Sequence, residues 1–208
     1  MNGAFTVDYT SWFNTVTDQP VETIARMFGE QFSKVWIDRY HRMCDGPTNV
    51  LEVPLTGFTY LFDFCSELID AGELPAEARE DRTVGAYGIS RSAGASRDSS
   101  RIRGFPGSDE RGDRGHLAAH AAGGGLDINV FHQDVYLNRG WSPAGKRYRE
   151  MERYCARSAG TFFFSRLIYR DETPRPVQIE FGILKAGRTL WLEIFENSAA
   201  ELQDPRNA

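Results

Sequence analysis

A chain of 208 residues with 41% hydrophobic and 25% charged residues has ordinary globular composition and can bury a real core as one full domain. Its formal net charge of −5 argues against holding nucleic acid by bulk electrostatics, and no run of about 18 apolar residues suggests a membrane-spanning helix. Cys44, Cys65 and Cys155 are odd in number and far apart, which excludes a disulfide framework or zinc ribbon and leaves three reduced, largely buried thiols.

The first residues, MNGAFTVDYTSWF, carry no basic stretch followed by an apolar core, so a cleaved secretion signal is not expected. Residues 1–80 read as mostly helical. In VETIARMFGEQFSKVWIDRYHRM, Ile24, Phe28, Phe32, Val35, Trp36 and Tyr40 recur at three- and four-residue steps, the apolar face of an amphipathic helix. Asp18 and Pro20 stand where a helix start would have them. GFTYLFDFCSELIDAG reads as a second helix, closed by Gly72 and Pro75. His41 reads as a surface residue near a helix end. Nothing in this segment suggests chemistry, and it reads as a packing, docking or regulatory part.

Residues 81–115 are rich in Gly, Ser and Arg and read as loops with at most short strands, or as a linker. Arginines crowd here, at 91, 97, 101, 103, 111 and 114. A second basic stretch holds Arg139, Lys146, Arg147, Arg149, Arg153 and Arg157. Such residues are either solvated or form a local basic surface for a polyanion on an acidic protein. SPAGKRYREMERYCARSAG reads as a helix with Ser142 as cap, Pro143 in the first turn and Gly160 past the end. TFFFSRLIYRD, VQIEFGIL and TLWLEIF follow as strands of a small antiparallel sheet.

The chemistry concentrates in SDERGDRGHLAAHAAGGGLDINVFHQDVYLNRG. Two histidines four apart, His116 and His120, could chelate zinc on a helix. Leu117 stands where the usual hydrolase version has glutamate, no third ligand follows at an obvious spacing, and a structural role suits His120 better. In Asp113-Arg114-Gly115-His116, a histidine of near-neutral pKa suits proton abstraction from water. The arginine suits phosphate oxygens, and the aspartate could orient it. Asn129, Gln133 and Asn138 supply amide oxygens, hard neutral ligands that fit Mg²⁺, although capping of an irregular loop suits Asn129 and Gln133 better. On the helix, at about 100° per residue, Tyr148, Met151, Glu152 and Cys155 share one stripe, with Glu150, Arg153 and Arg157 on the opposite face. An inward Glu152 requires a partner, either an arginine, a hydrogen bond or a metal's water.

Together these residues resemble the DNA/RNA non-specific endonuclease family, whose fold is the ββα-metal or His-Me finger. The resemblance rests on GDRGHLAAHAAGG, NVFHQDVYLNRG, the helix with YREME, and RLIYRDETPRPVQIEFGIL, and covers residues 85–196. It implies an α+β chain with a nuclease domain at 81–200, a helical segment at 1–80 and a tail at 201–208. It implies His116 as general base, Asn138 as direct ligand of one Mg²⁺ (or Mn²⁺), and Glu152, with Glu150 as alternative, holding the metal's water shell. Arg114 would contact the scissile phosphate, Asp113 would support the loop and Asn129 would help hold the site together. Arg101, Arg103, Arg111 and Arg139 are the candidates for binding the nucleic acid. The implied activity is nearly sequence-independent phosphodiester hydrolysis in DNA and/or RNA, leaving a 5′-phosphate.

The first eighty residues have no counterpart in the family, and the secretion signal common among relatives is missing. This fits a bacterial toxin, effector or defence nuclease, cytoplasmic or exported without a cleaved signal, with the N-terminal helices docking an inhibitor or carrier protein. The competing readings are a non-catalytic binding module that kept the fold, and a zinc hydrolase using His116 and His120.

Overall fold

The computed structural model of the chain describes residues 7–92, 112–186 and 188–197. The nucleic-acid candidates Arg101, Arg103 and Arg111, and the tail at 201–208, lie outside the described residues.

The architecture is α+β. Helices α1 (Tyr9–Val16), α2 (Val21–Phe28) and α3 (Lys34–His41) open the chain, with a π turn at Gly29–Ser33 between α2 and α3. Strands β1 (Val50–Leu55) and β2 (Phe58–Asp63), the short helix α4 (Cys65–Asp70) and β3 (Arg82–Ile89) follow. Then come β4 (Gly112–His116), β5 (Val130–Asp134), α5 (Val135–Arg139), α6 (Pro143–Arg157), β6 (Phe162–Ile168), β7 (Gln178–Leu184) and β8 (Leu190–Glu196). Six strands form one sheet in the order β1-β2-β3-β6-β7-β8, every neighbouring pair antiparallel, while β4 and β5 form a separate two-stranded ribbon.

The apolar stripe of the N-terminal helices behaves as its spacing predicts: Ile24, Phe28, Phe32, Trp36 and Tyr40 are buried, and Val35 is half-buried. Phe28 is the hub, with its ring 4.7 Å from that of Phe164, 5.1 Å from Phe162 and 5.6 Å from Trp36. Burying each such ring stabilises the fold by about 1.5–3 kcal/mol. A strand turns successive side chains to opposite faces, and β6 divides its residues accordingly. Phe162 and Phe164 meet the helices, whereas Phe163 packs on Phe58 and Phe181, and Ser165 Oγ donates to Leu117 O on the ribbon side. The helices α1–α3 thus cover one face of the sheet, and the ribbon with α6 covers the other. Tyr148 of α6 seats its ring 5.4 Å from Phe181 and 5.1 Å from Phe195.

Buried charges tie the N-terminal helices to the sheet. Glu180 and Arg166 pair at 3.2 Å with almost no exposure, the Tyr9 hydroxyl donates to Glu180 at 2.6 Å, and Trp36 Nε1 donates to Tyr9. Burial, and then the Glu180 charge, push the Tyr9 hydroxyl far above its ordinary range, so it stays a donor.

Two expectations are corrected. The first half of GFTYLFDFCSELIDAG is not helix but strand β2, and only Cys65–Asp70 is helical. The cause is the turn before it: Thr56 and Gly57 both have positive φ, 52° and 85°, the backbone of a two-residue hairpin that pairs Leu55 with Phe58. Second, residues 82–89 are a long, buried strand in mid-sheet rather than loop. Its glycines weaken the strand pattern in sequence, yet Gly85 is where the Trp36 indole lies, since a Cβ there would fall 2.7 Å from Cζ3. The antiparallel sheet is also larger than the small one expected. The three cysteines are free, Cys65 and Cys155 buried and Cys44 half-buried. Among the described residues no helix is long and apolar enough to cross a membrane.

Candidate active site

Asp113, Arg114, Gly115 and His116 lie consecutively on β4, and the register with β5 sets Arg114 opposite His132 and His116 opposite Val130. Gly115 is required by its neighbour. A Cβ there would lie 2.2 Å from Gln133 Oε1 and 2.6 Å from Gln133 Cβ, so the buried Gln133 side chain occupies the space that Gly115 leaves. His116 and His120 do not share the helix that the zinc alternative supposes. His116 ends the strand, and His120 starts a separate 3-10 turn, His120–Ala122.

The loop after His116 is held by Asn129, which has no exposure. Its Oδ1 accepts from Ala118 N at 2.8 Å, and its Nδ2 donates to Ala118 O at 2.8 Å and to Gly125 O at 2.7 Å. One side chain therefore copies a strand partner for Ala118, two residues from His116. These are the contacts of a side chain capping the backbone of an irregular loop.

Asn138 arrives on α5, a single tight turn capped at both ends. Asp134 Oδ1 accepts from Leu137 N at 2.9 Å, and Gly140 takes the left-handed conformation at φ 73°. The first turn of α6 presses on it, because Gly145 leaves room for Tyr136 O where a Cβ would lie 2.3 Å away. Helix α6 starts as its sequence predicts, with Ser142 Oγ accepting from Gly145 N at 2.9 Å and Pro143 in the first turn.

These elements enclose an open cleft of about 510 Å³ lined by Arg114, His116, His120, Asn138, Arg149 and Glu152, with Arg153 and alanines completing the wall. Four of the residues singled out in the sequence, Arg114, His116, Asn138 and Glu152, thus share one surface although they come from β4, α5 and α6. Glu152 is the helical carboxylate at the cleft. Its side chain is 14% exposed and accepts from Arg149 at 3.3 Å, so it lies at the edge of the apolar stripe rather than deep within it. Glu150 is 56% exposed, pairs with Arg147 and is absent from the cleft wall.

Asp113 orients Asn138 and Arg139 rather than the adjacent arginine. Asn138 Nδ2 donates to Asp113 Oδ2 at 3.0 Å, and Arg139 binds both carboxylate oxygens at 2.7 and 2.8 Å. The Arg139 hydrogen bond, and with it that of Asn138, holds the Asp113 carboxyl below the usual carboxylate range against the opposing effect of burial, so the clamp is anionic at neutral pH. Asn138 lines the cleft while its Nδ2 is tied to Asp113. Arg139, a candidate for nucleic-acid contact, is half-exposed and lies 4.9 Å over the Trp141 ring.

The Tyr148 hydroxyl donates to His116 O at 3.4 Å, a long contact from α6 to the end of β4. Burial, then the nearby Glu152 charge, drive the Tyr148 hydroxyl well above its ordinary range.

The sequence reading did not assign Arg149, Arg153 and His120 to the cleft. The arginines were visible only as part of a basic run; the i−3 spacing from Glu152 is the signal that places Arg149 beside it, whereas Arg153, expected on the opposite face, also lines the cleft. Among the described residues, no three His, Cys, Asp or Glu side chains are grouped to hold a metal. No protein-family model matches the chain, and no curated protein matches its sequence.

Proposed function

We propose that the chain is a divalent-cation-dependent nuclease of the ββα-metal type, hydrolysing phosphodiester bonds of DNA and RNA with little sequence preference. The observation that carries this reading is the convergence of Arg114, His116, Asn138 and Glu152 on one arginine-walled cleft. A ribbon strand ending in histidine, a second strand, a turn with an amide and a helix with a carboxylate is the order of parts that such chemistry needs.

The donors fit a hard cation. Asn138 Oδ1 and the Glu152 carboxylate are oxygen ligands of the kind Mg²⁺ or Mn²⁺ accepts while keeping most of its waters, and the Asp113 contact ties the nitrogen end of the amide. When bound, such a cation supplies Lewis-acid stabilisation of charge on the phosphate and the leaving oxygen. His116 takes a proton from water, whose oxygen then bonds to phosphorus as the bond to the 3′ oxygen breaks. That oxygen leaves as an alkoxide and takes a proton from solvent to become a hydroxyl, the other fragment carries a 5′-phosphate, and His116 returns its proton to solvent. Arg114, with Arg149 and Arg153 on the same wall, holds the phosphate oxygens by charge-assisted hydrogen bonds. Contacts made to phosphates carry no base information, so the cut is nearly sequence-independent.

The test is incubation of purified protein with supercoiled plasmid and with RNA, in Mg²⁺ and in EDTA. Wild type degrades both substrates in Mg²⁺ and neither in EDTA, His116→Ala is inactive, and His120→Ala retains most activity. Binding without cleavage under every metal condition would support the non-catalytic module instead. Activity that tracks stoichiometric zinc and is lost equally in both histidine variants would support the zinc hydrolase.

A further inference from the structure

The turn that delivers Asn138 also displays two large aromatic rings to solvent. Trp141 is 59% exposed and Tyr136 is 41% exposed, and they are two of the four exposed large hydrophobic residues among those described. Their centroids are 6.0 Å apart with the rings at 78°. Large aromatics are mostly buried in this chain, so an exposed pair on one tight turn is a local departure.

Their position ties them to the cleft. Arg139 lies 4.9 Å over the Trp141 ring and binds Asp113, and Asp113 holds Asn138. On the other side of the turn, a Cβ on Gly140 would lie 3.2 Å from Arg149 Cγ, so the backbone beside Trp141 abuts a residue of the cleft wall. An exposed indole, a second ring at its edge and a guanidinium therefore border a row of phosphate-binding arginines.

We infer that Trp141, with Tyr136 and Arg139, is a stacking platform for an unpaired nucleobase, and that the cleft takes single-stranded nucleic acid in preference to duplex. The inference rests on the nucleic-acid reading of the cleft and adds the form of its substrate. Every base has a face that stacks on an aromatic ring, so the platform is indifferent to sequence. In a duplex those faces are occupied by neighbouring pairs, and the platform gains a base only where the strand is open or frayed. Charge complementarity favours this occupant: Arg114, Arg149 and Arg153 would follow the backbone while the ring takes the adjoining base.

The experiment measures binding, not cleavage. The His116→Ala protein in EDTA is titrated against fluorescein-labelled oligothymidylate and against a labelled duplex, followed by anisotropy, with and without Trp141→Ala or Trp141→Phe added. Trp141→Ala should weaken single-strand binding by about tenfold and leave duplex binding within about twofold, while Trp141→Phe keeps most of the single-strand affinity. Unchanged single-strand affinity in Trp141→Ala, equal loss for both forms, or no binding of the single strand by the parent protein overturns the inference. A protein that stacks single strands through Trp141 yet cuts nothing in Mg²⁺ would leave the platform standing and remove the hydrolase. Cleavage with no dependence of binding on Trp141 would do the reverse.

Discussion

Replacing Asn129 with alanine removes three hydrogen bonds from a side chain that has no exposure. The partners left behind are Ala118 N–H, Ala118 C=O and Gly125 C=O. Ala118 is itself fully buried, so water cannot easily replace the amide, whereas Gly125 is half-buried and can be partly rehydrated. At about 1–2 kcal/mol for each buried group left unsatisfied, and less for the third, the loss comes to about 3–4 kcal/mol. For a chain of this size that lowers Tm by about 10 °C. The assay is a thermal melt of Asn129→Ala together with hydrogen exchange at the Ala118 amide. That amide should exchange well before global unfolding, because the loop opens locally. His116 lies two residues from Ala118, so cleavage should fall along with protection. A melt within about 2 °C of wild type and an Ala118 amide as slow as before would refute the view that one side chain holds this loop.

Gly115→Ala puts a Cβ into the Gln133 side chain, at 2.6 Å from its Cβ. Overpacking there should cost about 1–3 kcal/mol, read as a lower Tm that a second change, Gln133→Gly, restores. The Asp113 clamp gives a pH signature. Its folded-state pKa is depressed, so its stabilisation is fully present above the ordinary carboxylate pKa and is lost as pH falls through the lower folded value. Asp113→Asn should therefore melt below wild type at neutral pH, and the gap should close in strong acid. A gap that stays constant down to pH values below the carboxylate range would contradict the assignment.

The elements most legible in the sequence are those whose burial is one-sided. The three-and-four stripe from Ile24 to Tyr40 and the last strand, β8, each leave one side partly open, and periodicity reports such faces directly, whereas β7 is buried on both faces and was read from its apolar, alternating composition. Arg114, His116, Asn138 and Glu152 were singled out by residue type and spacing, and the fold brings them to one cleft. Strand β3 was hidden because it is buried on both faces and carries glycines that make room for Trp36 (Gly85) and Phe58 (Gly88), so it has neither alternation nor β-rich composition throughout. Strand β2 was hidden because Leu61, Phe64, Cys65 and Leu68 also satisfy helical spacing, and only the backbone at Thr56 and Gly57 selects the hairpin. The partner of Asp113 was not legible either. The α5 turn, not sequence adjacency, brings Arg139 to its carboxylate.

Chemical rescue of the missing imidazole tests the central claim most directly. With saturating Mg²⁺, His116→Ala should cleave plasmid at a small fraction of the wild-type rate, and added imidazole should raise that rate in proportion to its concentration as free base. Wild-type cleavage by His116→Ala without imidazole would contradict the account.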